Sequence, residues 1–148
     1  MSISAVEQEI QTISITREIE IAAPIEIAFE AMLEEIGPGG EMPGGKPFPR
    51  VIEQWPGGRW FRDLGNSQGH LWGLVQVIKA PTLLEITGPM MMSYPVAGHL
   101  QVRCVQIAGG TLVTLKHRAM GMIDPKHREG LTDGWGKILK GIKDASEK

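Results

Sequence analysis

The chain has 148 residues and a mass of 16.2 kDa, the size of one domain. Lys plus Arg total 15 against 17 Asp plus Glu, a net charge of −2, which excludes a broad basic footprint for nucleic acid and gives no polybasic membrane anchor. The one cysteine excludes a disulfide scaffold, and no run approaches the roughly 18 apolar residues of a membrane helix.

Residues 1–12 are mostly polar and are expected to be loose. They show no basic stretch leading into an apolar run, so no secretory leader is expected, and a cytoplasmic protein is. From Ile13 the chain alternates. Ile13, Ile15, Ile19 and Ile21 share one parity, with Ser14, Thr16, Glu18 and Glu20 on the other, which predicts a half-buried strand. Pro24 suits a first helical position, and Ile25, Ala28, Phe29, Met32 and Ile36 follow helical spacing. A helix over about 24–36 is predicted, stopped by Gly37.

Residues 37–50 read GPGGEMPGGKPFPR, with nine Gly or Pro among fourteen, and no regular element is expected there. Such a loop is either a lid or binding loop or a surface excursion. Strands follow at 50–55, 59–64, 70–79, 82–87, 98–107 and 111–120, with hairpin signals at Pro56-Gly57-Gly58 and Gly109-Gly110. Asp124 is placed to accept from the free N–H groups of a last helix whose first residue is Pro125. That helix runs to about 146. Leu131, Trp135, Ile138, Leu139 and Ile142 form its apolar face. Beside them Gly130, Gly134 and Gly141 form a seam without side chains. The leading reading is close approach to another backbone, and the other is room for something else. The architecture is α+β: one antiparallel sheet, a short early helix, and a long C-terminal helix laid across one sheet face.

Four stretches resemble a known family. They are ITREIEIAAPIEIAFEAM near the start, PGGRWF at 56–61, TLVTLKHRAM at 111–120 and GWGKILKGI at 134–142. Over about residues 13–146 the chain resembles the START-like (SRPBCC) superfamily, and within it is most similar to the family named for the activator of the heat-shock-protein-90 ATPase. The resemblance implies one domain over 13–148. It also implies a curved sheet of six to seven strands gripping the last helix, with a ligand cavity between them. Superfamily members bind lipids, hormones and polyketides, and a few are cyclases. The chain departs from the family at 37–50, where a second short helix is common. The co-chaperone role transfers poorly, because it uses a further N-terminal domain, so chaperone contact is not expected.

Eight residues are candidates to line the cavity. Trp60, Trp72 and Trp135 offer large apolar walls; Trp135 also suits plain core, and a bulge between neighbouring strands would decide which sheet face Trp60 and Trp72 take. Met90, in Met90-Met91-Met92, and Tyr94 suit an adaptable mouth, or a gap-filling loop. His117, Met120 and Leu139 complete the set. His117 shares a strand parity with Val113 and Leu115, so it faces the core side, either satisfied by a neighbour or orienting a ligand. His127 reads as a surface group near the start of the last helix. The leading function is a binding protein for a small hydrophobic molecule, without cofactor or metal. The four histidines have no metal-ligand spacing, and Cys104 reads as a buried small hydrophobe. One alternative is a cyclase- or hydrolase-like enzyme using His117 with a carboxylate such as Glu85, which requires the two within hydrogen-bond reach or one water apart. Another is a protein-interaction module with the Met-rich loop as contact. The sheet face left bare by the helices leaves room for a homodimer.

Overall fold

A computed structural model describes residues 5–148. Nine elements follow in order: β1 (Gln11–Ile21), α1 (Ile25–Ile36), β2 (Val51–Ile52), β3 (Arg59–Gly65), β4 (Gln68–Lys79), β5 (Leu83–Thr87), β6 (Val96–Ile107), β7 (Gly110–Gly121) and α2 (Pro125–Ser146). The expected looseness of residues 1–12 falls partly on 1–4, outside the described residues. Residues 5–10 form no regular element, and β1 begins at Gln11, two residues before the predicted start.

The strands form one antiparallel sheet in the order β1-β7-β6-β5-β4-β3-β2. The chain starts at one edge, and α1 with the 37–50 loop carries it to the other. Hairpins then walk back until β7 meets β1. In register, Ile13, Ile15 and Ile19 oppose Ala119, His117 and Val113, so the apolar parities of both strands fall on one face. Period-two patterning fixes such a register, because a one-residue slip would turn every one of these side chains outward. Thr111 ties the corner after β1, donating its hydroxyl to the Ala23 carbonyl at 2.8 Å.

The predicted strand at 50–55 shrinks to Val51–Ile52. Glu53 keeps one main-chain bond across to Arg59, its N–H donating to that residue's carbonyl at 2.9 Å, and its side chain clamps the turn. Its carboxylate accepts from the Arg59 main-chain N–H and from the Arg59 guanidinium, each at 2.8 Å. The predicted strands at 98–107 and 111–120 lengthen to Val96–Ile107 and Gly110–Gly121.

Both helices cover the same sheet face. α1 packs beneath β6 and β7, and α2 packs on α1 and β1. The α2 start is as predicted: the Asp124 carboxylate accepts from the Lys126 N–H at 2.9 Å, with Pro125 in the first position. The core between sheet and helices holds Phe29, Met32, Ile36, Leu84, Leu100 and Trp135, all fully buried. No described helix is long and apolar enough to cross a membrane.

Candidate functional site: a groove along the last helix

The parity of β7 carries His117 inward to 0% exposure. The indole Nε1–H of Trp135 donates to its Nδ1 at 2.9 Å, and the two rings meet edge to face at 5.5 Å. Because Nδ1 accepts, the imidazole proton sits on Nε2, which is buried without a partner. Burial pushes the His117 pKa down to about 4, so the ring is neutral at neutral pH. Sheet and last helix are thus joined at mid-core by one directional bond.

The pairing of His117 with Glu85 that the enzyme alternative requires does not form. On β5, Leu84 and Ile86 point into the core, so Glu85 between them points to the outer face. There it accepts from His99 Nε2 at 2.8 Å, with the whole sheet between it and His117.

The other lining candidates separate by location. Trp60 and Trp72 are buried edge to face with ring centroids 5.1 Å apart. A bulge sets this. Trp60 opposes Gly73 while Phe61 opposes Leu71, so Trp72 is the extra residue and turns inward beside Trp60. The Trp60 Nε1–H is satisfied by the Ile36 carbonyl at 2.8 Å, which locks β3 to the end of α1. Met90 and Leu139 are also fully within the core. Tyr94 is half-buried and acts as a strap. Its hydroxyl lies 2.8 Å from His127 Nδ1 and accepts from the Asp124 N–H at 3.3 Å, holding the 88–95 loop to the start of α2. Met120 is a correction: at 58% exposure it lies on the outer face, because Ala119 and His117 take the inward parity of β7.

The open space lies elsewhere, along the glycine seam. A Cβ at Gly130 or Gly134 would meet nothing within 4 Å, and one at Gly141 would meet the Glu35 carboxylate at 2.7 Å. The seam therefore does not bring α2 against another backbone, contrary to the leading expectation. It leaves a bare helix face. On one side of it is an apolar cleft of about 220 Å³, walled by Met91, Met92, Leu131, Trp135 and Ile138. On the other is a wider cleft of about 590 Å³, where Glu35, Glu41, Arg50, Asp133 and Lys137 stand among Met42, Pro43, Gly44 and Gly45. Both include Gly130, Gly134 and Ile138, so they form one groove crossing the helix. The larger cleft alone falls in the roughly 300–1,000 Å³ range of small-molecule sites.

The Gly/Pro-rich loop forms the polar wall. Its ends are tied together: the Phe48 N–H donates to the Gly40 carbonyl at 2.7 Å and the Arg50 N–H to the Gly37 carbonyl at 2.9 Å. It is a held wall rather than a free excursion. The Arg50 side chain is 7% exposed and lies beside the rings of Phe48 and Trp72, 5.5 and 5.1 Å from their centroids. One of its amino groups donates to the Glu35 carbonyl at 2.9 Å, and its Nε–H has no partner. Burial lowers its pKa to about 10, which still leaves it charged at neutral pH. Gly40 makes the space, since a Cβ there would sit 2.2 Å from that amino group. Burial raises the Glu35 pKa above the ordinary carboxylate value.

Of the eight expected lining residues, Trp135 walls the groove, Tyr94 secures its rim, and five form the solid core behind it. Arg50 and Glu35 were not foreseen. Nothing in their spacing marks them. Only the position of Arg50 at the end of a suspected binding loop could have raised it.

No family model matches the sequence, and no curated protein matches it. Solved structures do. An uncharacterised protein from Rhizobium leguminosarum superposes with a TM-score of 0.71 at 12% identity, over 96% of this chain and 99% of that one. The Aha1 dimer protein from Colwellia psychrerythraea gives 0.64 at 15% identity, over 91% and 96%. The di-domain ARO/CYC protein BexL of the BE-7585A biosynthetic pathway gives 0.66 at 14% identity, where 93% of this chain covers 50% of that one. The shared architecture is the helix-grip fold that the resemblance implied.

Proposed function

We propose that the protein binds a small, largely apolar molecule in the groove along α2, on the helix-grip fold it shares with those structures. One observation carries the reading. Gly130 and Gly134 leave the middle of a core-covering helix bare, between an apolar wall and a polar one. Two helix-interior glycines cost about 1 kcal/mol each relative to alanine, and no close contact offsets that cost here. A ligand would gain roughly 25 cal/mol per Å² of apolar surface it buries, less the cost of immobilising it. Native mass spectrometry of gently purified protein is the test. A non-covalent adduct that is lost on denaturation, and is absent from Gly134→Phe, is the expected result. An adduct equally present in Gly134→Phe puts the ligand outside the groove and overturns the reading.

A second reading, turnover of the bound molecule by a cyclase-like enzyme, draws on the likeness to BexL. In this groove the acid or base would be Glu35, whose carboxyl is shifted toward the neutral form. Under that reading Glu35→Gln retains the ligand and accumulates it unreacted. Unchanged adduct masses in the two proteins remove Glu35 from such a role.

A further inference from the structure

The polar end of the groove holds a buried cation that makes no close ion pair, the Glu35 carboxylate acting on it only at longer range. The Arg50 guanidinium is almost wholly buried, yet among the described residues its hydrogen-bond partner is the Glu35 carbonyl and no carboxylate forms an ion pair with it. A buried charge without a partner is costly. The fold nonetheless holds it firmly, beside the rings of Phe48 and Trp72 and in the space that Gly40 leaves. Arg62, over the same Phe48 ring at 4.4 Å, adds positive potential. The Nε–H is buried without a partner, so the guanidinium edge that lines the cleft is what an acceptor would meet.

The ligand's charge is limited by the rest of the cleft. Glu35, Glu41 and Asp133 face it, against Arg50 and Lys137. A dianion such as a phosphate monoester would meet about twice the repulsion from these three carboxyl groups that a single carboxylate on Arg50 meets, so the singly charged ligand is favoured. From Arg50 the groove runs over Gly134 and Ile138 to the apolar cleft at Met92 and Trp135. We infer that the groove takes an amphipathic monocarboxylic acid, with its carboxylate on Arg50 and its apolar body across the bare face of α2 toward Trp135. This rests on the groove being the ligand site, and adds which end of the ligand goes where and what charge it carries.

The test compares dodecanoate, dodecanol and dodecyl phosphate as probes, by calorimetric titration below their micelle-forming concentrations. The unmodified chain should bind dodecanoate roughly ten- to a hundredfold more tightly than dodecanol, the scale of a charge-assisted hydrogen bond. It should bind dodecyl phosphate no more tightly than dodecanoate. Arg50→Gln should bring dodecanoate down to dodecanol's affinity without changing dodecanol, and Arg50→Lys should restore part of the preference. Gly134→Phe should abolish both. Equal binding of dodecanoate and dodecanol to the unmodified chain, with both lost in Gly134→Phe, overturns the assignment of Arg50 while the groove stands. Tighter binding of the phosphate overturns the single-charge assignment. Binding that survives Gly134→Phe overturns the groove itself. The comparison in the unmodified chain decides the question even if the Arg50 variants fail to fold.

Discussion

His117 is the buried residue through which the core responds to acid. Its folded pKa is about 4, below the unfolded value of about 6.5. Above pH 6.5 the ring is neutral in both states, and it contributes nothing to pH dependence. As pH falls from about 6.5 toward 4, the unfolded chain takes up a proton that the folded chain refuses, so stability falls. The whole effect is about 3 kcal/mol, complete only below pH 4. Urea midpoints measured against pH should therefore decline across that window, and the decline should flatten in His117→Gln. Trp135→Phe tests the same contact from the other side. It strands the Nδ1 acceptor in the core and should cost about 1–3 kcal/mol, read as a lower urea midpoint at unchanged slope. Met120, by contrast, touches no core. Met120→Ser should shift stability by no more than about 0.5 kcal/mol.

At the scale of elements, the glycines of α2 separate stability from function. Gly134 has open space around its missing Cβ, so Gly134→Ala should stabilise the helix by up to about 1 kcal/mol and raise Tm. The gain is expected because the position is not selected for packing. Gly141→Ala should give less or nothing, since its Cβ meets the Glu35 carboxylate at 2.7 Å. Gly40→Ala belongs to the loop and should destabilise outright, because the new methyl falls on the Arg50 guanidinium. Thermal melts of the three variants should rank Gly134→Ala above Gly141→Ala above Gly40→Ala. The 37–50 loop itself behaves as an element, closed at Gly37–Arg50 and Gly40–Phe48 without belonging to a helix or sheet.

For the whole molecule, the crossing from β1 to β2 is the decisive connection. It carries α1 and the loop over one sheet face, so the polar wall at Arg50 faces the α2 seam although some 80 residues of sequence lie between them. The core behind is closed by Trp60, Trp72, Met90, His117 and Leu139. Open space is thereby moved from the sheet–helix interior to the outer margin of α2. Native mass spectrometry and the alkyl-chain titrations address that margin directly.

The sequence by itself determined what depends on local periodicity and local chemistry. Alternation at Ile13–Ile21 and Val113–His117, helical spacing in α1 and α2, and the Asp124-Pro125 start each report on neighbours a few residues away. The family resemblance added a curved sheet gripping the last helix, while the pairing of β1 with β7 came only from the tertiary structure. The tertiary structure alone decided what depends on distant parts of the chain. The bulge at Trp72 is set by how β3 meets β4. The outward turn of Glu85 and Met120 is set by which parity the core claims. The emptiness beside Gly130 and Gly134 exists because α1 and the 37–50 loop stop short of them. The burial of Arg50 comes from Phe48, Trp72 and Glu35 converging on it from three separate segments. A glycine seam looks the same in sequence whether it is pressed against a backbone or left open, and only the position of the opposing segment distinguishes the two.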